Sequence, residues 1–300
     1  MNKQIWKKKC LLFEDSYASN PTAIKLFKNI YRVFYSSRDK ENKSSLFFFD
    51  FDIVDLKITN KNKSPVFKYK AESDFFSSGI TPGCIYSIED KNYLAFMGWT
   101  NNVDSHWYGN IGSLEIDKNF EIIPDSERLL LGLNDIDKVS LSYPEIISIN
   151  KKYYMFYGST VKWEYKNGEM LHTLNFAESK DGKNFIPKGK ILNYKDGYAQ
   201  AFSRPTIYID ESKKLHMWYS YRGSKKDTYR IGYAYSDGTI TSWVNQYNEN
   251  QISKSDSGWD SQMVEYPNVF EHDSTLYMLY NGNEFGKTGI GIAYLDLKDL

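Results

Sequence analysis

The stretch Pro205-Thr206-Ile207-Tyr208, followed by Leu215-His216-Met217-Trp218-Tyr219 and Arg230-Ile231-Gly232-Tyr233-Ala234-Tyr235, reads as three short strands in succession. Its opening phrase recurs along the chain. Pro21-Thr22-Ala23-Ile24, Pro82-Gly83-Cys84-Ile85, Pro144-Glu145-Ile146-Ile147 and Pro267-Asn268-Val269-Phe270 share its form, and the five prolines are separated by 61, 62, 61 and 62 residues. Some ten residues after each proline lies an aromatic strand: Tyr31-Arg32-Val33-Phe34-Tyr35, Tyr93-Leu94-Ala95-Phe96-Met97, Tyr153-Tyr154-Met155-Phe156-Tyr157 and Leu276-Tyr277-Met278-Leu279-Tyr280 in the other four units. Each pair of strands predicts a hairpin.

A third strand follows in every unit, and turn signals such as Asp181-Gly182 before Phe185 and Asp237-Gly238 before Trp243 lead to a fourth. Four strands repeated radially make a propeller blade, and self-similarity at a fixed period from end to end argues for one domain over residues 1–300. The fold class expected is all-β: a five-bladed β-propeller with four-stranded blades at about 17–70, 75–131, 138–193, 199–250 and 260–298. The last unit is too short for a fourth strand. The N-terminal segment, Gln4-Ile5-Trp6 and Cys10-Leu11-Leu12-Phe13, is expected to supply it and close the ring, which removes an exposed sheet edge.

Aromatic residues make up 17% of the chain, with 25 Tyr, 18 Phe and 7 Trp, partly for packing between blades and partly as platforms on which a sugar face can stack. With 38 basic and 38 acidic residues there is no global field for nucleic acid or an anionic membrane. No run approaches a membrane span and the N-terminus lacks the apolar core of a secretory signal, so the location expected is cytoplasmic. Two cysteines and four histidines without ligand spacing predict neither a disulfide framework nor a metal centre, and no phosphate loop or nucleophile elbow is present. No cofactor is expected.

The innermost strands of a propeller converge on a central funnel, so the residues just before each repeated proline are where a site is expected. They are Ser19-Asn20, Ile80-Thr81, Ser142-Tyr143, Ser203-Arg204 and Glu265-Tyr266. An inward carboxylate in a crowded funnel is costly unless it is used or paired, which singles out Glu265. Asp260, in Ser257-Gly258-Trp259-Asp260, and Asp74, in Ser73-Asp74-Phe75-Phe76, precede their inner strands at similar phase and are the other candidate acids. Each acid can equally serve as a structural hydrogen-bond acceptor. Arg38, Arg204 and Arg222 either neutralise these acids or form an anion pocket for a phosphate, a sugar acid or a sugar nucleotide. Trp99 with Asn101-Asn102, and Trp163 after Ser159-Thr160, are candidates for sugar stacking, and Asn281 for a polar contact or a turn.

The phrases Val33-Phe34-Tyr35-Ser36-Ser37-Arg38-Asp39, Ala177-Glu178-Ser179-Lys180-Asp181-Gly182-Lys183-Asn184-Phe185, Ala234-Tyr235-Ser236-Asp237-Gly238 and Met278-Leu279-Tyr280-Asn281-Gly282 carry a resemblance spanning all five units. The chain resembles the five-bladed β-propeller glycosidase superfamily of arabinanases, xylosidases, invertases, levansucrases and mannoside phosphorylases. More narrowly, it is similar to bacterial glycosidase-like proteins of surface-polysaccharide loci. The resemblance implies inward carboxylates in the first three blades, two of which would flank the scissile bond. Here the chain departs from the pattern. Asn20 replaces the first acid, Thr81 precedes Pro82, and Ser142 stands where a glutamate would precede Tyr143-Pro144, so only Glu265-Tyr266-Pro267 keeps the Glu-x-Pro form. The expected function is action on a glycosidic bond with an atypical acid set: Glu265 as general acid or base, Asp260 or Asp74 as its partner, and Asn20, Arg38, Thr81, Trp99, Ser142, Trp163, Arg204, Arg222 and Asn281 as substrate contacts. Glycosyl transfer or phosphorolysis with an anionic co-substrate, and carbohydrate binding without catalysis, are the alternatives.

Overall fold

The computed structural model describes residues 6–101, 106–246 and 252–300; Gln4, Ile5 and Asn102 of the expectations above, and residues 247–250 at the end of the fourth repeat, lie outside these. The architecture is all-β. Strand β1 (Lys7–Glu14) is followed by four units of four strands: β2 (Ser19–Phe27), β3 (Ile30–Arg38), β4 (Ser44–Asp52) and β5 (Lys57–Lys61); β6 (Gly79–Ile88), β7 (Lys91–Thr100), β8 (Tyr108–Ile116) and β9 (Arg128–Leu131); β10 (Ser140–Ile149), β11 (Lys152–Lys162), β12 (Leu171–Ser179) and β13 (Ile186–Lys190); β14 (Ala201–Ile209), β15 (Leu215–Arg222), β16 (Arg230–Ser236) and β17 (Val244–Gln246). The fifth holds β18 (Glu265–His272), β19 (Thr275–Asn281) and β20 (Gly289–Asp296). Pairing within each unit is antiparallel between successive strands, and single parallel bridges, Ser44 to Gly79 and His172 to Ala201, join the first unit to the second and the third to the fourth.

Strand β1 pairs antiparallel with β20, Leu11 opposite Gly291 and Phe13 opposite Ile290, which gives the fifth unit its fourth strand. The aromatic strands supply the packing between units. Phe34 and Leu46 of the first unit meet Ile80 and Phe96 of the second. Cys84 and Ile111 meet Ile146 and Met155. Phe156 and Leu174 meet Phe202 and Met217, and Trp218 meets Met278 with Trp6 beside them. Leu279 and Ile290 of the fifth unit pack on Val33 and Phe49 of the first. Burying such a side chain is worth about 1.5–3 kcal/mol, so each junction is a small core of its own.

The prolines act at the inner strands. In β2, β10, β14 and β18 the pairing with the next strand skips two residues around the proline, and the residue before it adopts a left-handed conformation: Asn20 (φ 58°), Tyr143 (φ 48°), Arg204 (φ 47°) and Tyr266 (φ 53°). A left-handed residue ahead of proline costs on the order of 1–3 kcal/mol. It is held because the bulge turns side chains at this point away from the alternation of a regular strand.

Just past the prolines, hydrogen bonds run from unit to unit. The Ala23 amide donates to Asn268 Oδ1 (2.9 Å), the Val269 amide to Thr206 Oγ1 (3.1 Å), the Ile207 amide to Glu145 Oε1 (3.1 Å) and the Ile146 amide to Cys84 Sγ (3.0 Å). Thr22 Oγ1 donates to Gly83 O (3.0 Å). Gly83 is required there, because a Cβ would stand 2.4 Å from the Pro144 carbonyl oxygen. Fully buried Arg204 crosses from the fourth unit to the first two, donating to Pro21 O (2.6 Å), Thr22 Oγ1 (2.9 Å), Pro82 O (3.0 Å) and Gly83 O.

Two outcomes follow. Arg204→Met leaves three carbonyls and a hydroxyl without their donor, and is expected to lower the unfolding free energy by about 3 kcal/mol or more in chemical denaturation; a loss under about 1 kcal/mol would contradict this role. Burial raises the Glu145 carboxyl to about 7, against the opposing pull of Arg204. A raised folded pKa means that the protonated form stabilises, so the contribution is full below pH 4.5 and is lost as pH rises to 7. The melting temperature of the wild type relative to Glu145→Gln should therefore fall across that window, and a constant difference would refute the assignment.

Candidate functional site

A cavity of about 980 Å³ opens where the starts of the inner strands meet the loops that follow the second strands. Every unit contributes from the same two places. From the inner strands come Ser19 and Asn20, Thr81, Tyr143, Ser203 and Tyr266. From the ends of β3, β7, β11, β15 and β19 and the loops after them come Arg38, Asp39 and Lys40, then Trp99 and Trp107, then Trp163, Glu164, Glu169 and Met170, then Arg222, Lys225 and Tyr229, and last Glu284 with Phe285.

Of the residues singled out in the sequence, Asn20, Arg38, Thr81, Trp99, Trp163 and Arg222 line this cavity. Trp163 stands edge-on to Trp107 and its ring stacks on His106, both at centroid distances of 4.8 Å, which makes one aromatic wall. Trp99 is 6% exposed; its indole N–H donates to Ser44 Oγ (2.8 Å), and the Arg38 guanidinium lies 5.4 Å over its ring. Arg222 pairs with Glu169, Nε to Oε2 at 2.9 Å and Nη2 to Oε1 at 3.2 Å, and lies 4.7 Å over the Tyr229 ring. Sequence reasoning missed Glu169, which sits in the loop after a second strand rather than beside a proline.

The other six are placed elsewhere. Ser142 is buried and meets His172 Nε2 at 2.9 Å, while Thr160 Oγ1 meets Nδ1 at 2.8 Å. Held between two hydroxyls, the His172 ring borders the cavity, and burial lowers its pKa to about 3, so it is neutral near pH 7. Asn281 accepts from the Asn20 amide (2.9 Å) and donates to Ala18 O and Gly289 O (both 2.8 Å), tying the last unit to the first. Asp260 is buried against Lys8 Nζ (2.5 Å) and the Tyr280 hydroxyl (2.9 Å), an arrangement that holds β1 rather than a ligand. Asp74 is exposed and outside the cavity lining. Arg204 is enclosed by the inner strands, as described above.

Glu265 is 0% exposed, and neither carboxyl oxygen has a hydrogen-bond partner among the described residues. Burial pushes its pKa well above the ordinary carboxylate range, opposed by the charge of Arg222. Its charge in turn acts on Tyr143, Tyr229 and Tyr266, all three of which line the cavity. Tyr143 and Tyr266, the left-handed residues of two units, bring their rings to 5.5 Å of each other. The result is a buried acid, its neutral form favoured, next to a tyrosine-faced region of the wall. Among the described residues no group of three or more His, Cys, Asp or Glu could hold a metal ion, and no helix is long and apolar enough to cross a membrane.

No protein-family model matches the chain. It is 31% identical over 286 residues to uncharacterised proteins from two strains of Mycobacterium tuberculosis, a match that covers 94% of this chain and 93% of theirs. Among solved structures, a glycosyl hydrolase from Bacteroides ovatus superposes with a TM-score of 0.69 at 16% identity, covering 95% of this chain and 86% of that one. A structure from the GH130 family of mannoside phosphorylases, which contains glycoside hydrolases targeting β-1,2 mannosidic linkages in Candida mannan, superposes at 0.66 with 16% identity over 94% and 85% of the two chains. The chain thus belongs to the family of the two mycobacterial proteins, and its fold is that of the propeller glycosidases.

Proposed function

We propose that this protein binds a carbohydrate in the cavity and acts on a glycosidic bond there, with Glu265 as the general acid. The observation that carries the reading is Glu265 itself: a buried carboxyl without partners, beside tyrosines that line a large cavity of mixed aromatic and polar character. We also read the five four-stranded units as five blades of one domain over residues 1–300, closed by β1. Packing of the fifth unit on the first, and the hydrogen bonds linking each unit to its neighbours, support that closure.

In this mechanism the Trp163 wall holds a sugar face, and Asn20, Thr81 and Ser203 supply hydrogen bonds to hydroxyls. Asn20 contributes an amide where a carboxylate would be charged, so it positions and does not exchange protons. Burial favours the protonated form of Glu265, as a general acid requires, and the carboxyl passes its proton to the leaving oxygen. Glu169, held by Arg222, then takes the proton of the attacking water as the bond to the anomeric carbon forms. Asp260 and Asp74 have no part in it, the first because Lys8 and Tyr280 occupy it and the second because it is outside the cavity. Carbohydrate binding without turnover is the second reading, favoured by the ion pair that already engages Glu169.

A panel of aryl glycosides tests the reading. Wild-type turnover of at least one substrate should fall by about 10²–10⁴ in Glu265→Gln with the fold intact, and its alkaline limb should report the raised pKa of Glu265. Asp260→Asn should cost about 1–3 kcal/mol of stability while turnover per folded molecule stays the same. Sugar binding with no turnover of any panel member would select the second reading, and unchanged turnover in Glu265→Gln would remove Glu265 from the chemistry.

A further inference from the structure

Four cations and four carboxylates line the cavity, yet they are not equivalent once their partners are assigned. Glu169 is taken by Arg222. Glu284 pairs with Lys287 at 2.8 Å. Asp39 accepts from the Tyr69 hydroxyl and from the backbone amides of Glu41 and Lys43. That leaves Glu164 as the one cavity carboxylate without a partner among the described residues. On the positive side, Arg38, Lys40 and Lys225 belong to no ion pair among the described residues. Asp39, bonded only by neutral donors, keeps its charge, so Arg38, Lys40 and Lys225 set against Asp39 and Glu164 leave one positive charge in excess, local to the cavity in a chain whose formal charge is zero.

Arg38 is the best prepared of the three. It ends β3, its Nη1 donates to Asn42 Oδ1 (2.8 Å), and its guanidinium lies 5.4 Å over the Trp99 ring. Trp99 is itself immobilised by its bond to Ser44. The Arg38 charge is also felt at the Tyr143 hydroxyl, whose pKa it lowers against burial, so the guanidinium acts on the tyrosine-faced region of the cavity. A guanidinium held over an aromatic ring with donors to spare suits a planar or tetrahedral oxyanion, and loses less side-chain freedom on binding than a solvated lysine. Trp99, expected from the sequence as a candidate for sugar stacking, carries the Arg38 guanidinium over its ring.

We infer that the ligand of this cavity is a sugar bearing an anionic group, carboxylate or phosphate, which Arg38 recognises with Lys40 and Lys225 at the rim. The inference rests on the carbohydrate reading above and adds the substrate class to it. Arg38 is here the specificity-determining residue, reading the anion while the Trp163 wall reads the sugar.

Matched probes separate the two claims. Titration calorimetry would compare glucose with glucuronate and glucose 6-phosphate, galactose with galacturonate, and mannose with mannose 6-phosphate, alongside inorganic phosphate, on wild type, Arg38→Gln, Lys40→Gln and Trp163→Ala. At least one acidic member should bind about tenfold or more tightly than its neutral partner. That preference should weaken with salt and shrink to near unity in Arg38→Gln, while the melting temperature and the neutral sugar's affinity hold. The uronates and the sugar phosphates decide which anion is read. Neutral and acidic members binding alike, or a preference that survives in Arg38→Gln, would overturn the anionic class and leave the carbohydrate reading standing if Trp163→Ala abolishes binding. Phosphate binding as tightly as every sugar phosphate would overturn the inference, and no response to any sugar would overturn both.

Discussion

The Arg204 guanidinium, buried where the inner strands meet, is the interaction on which the rest of the structure depends. Its donors satisfy carbonyls of two other units, and the amides just past four of the five prolines bond to the neighbouring unit. Charged donors on backbone acceptors are strong in a dry interior, and expensive to lose. The left-handed residue before each of four prolines belongs to the same arrangement. Without the bulge, Tyr143 and Tyr266 would not stand together at the cavity wall.

That bulge also explains how far the site could be read from the sequence. The repeat, its strands and the extra N-terminal strand were legible, because proline spacing and aromatic alternation are local signals that survive in one sequence. The funnel positions were legible only in part. Strand alternation fixes which face a side chain takes, but a left-handed residue inside a strand breaks the alternation, and the residue before a proline is ordinarily extended. So Asn20 and Tyr266 meet the cavity while Arg204, at the same repeat position, is enclosed between units. For Asp260 the sequence left catalysis and a structural role open, because its partner Lys8 stands 252 residues away. Glu169 was missed because loops after second strands carry no proline to mark them, although every one of them reaches the cavity.

Three buried ionisable groups show how the fold controls charge. Glu145 accepts an amide of the next unit and sits within reach of Arg204's field, yet burial dominates and raises it to about 7. His172 is driven the other way, to about 3, and is fixed as a neutral ring between Ser142 and Thr160. Glu265 has neither an amide nor a hydroxyl to satisfy it. The first two are satisfied by partners, whereas Glu265 lies without one among the described residues, beside tyrosines that line the cavity. An uncompensated buried carboxyl costs stability, and such a cost persists where function uses it.

The most direct measurement is a crystal structure of the protein with an oligosaccharide bound. The account predicts a sugar ring against Trp163, with a glycosidic oxygen within hydrogen-bonding distance of the Glu265 carboxyl. A sugar held on the outer strands, or one in the cavity with Glu265 still buried and out of its reach, would contradict it.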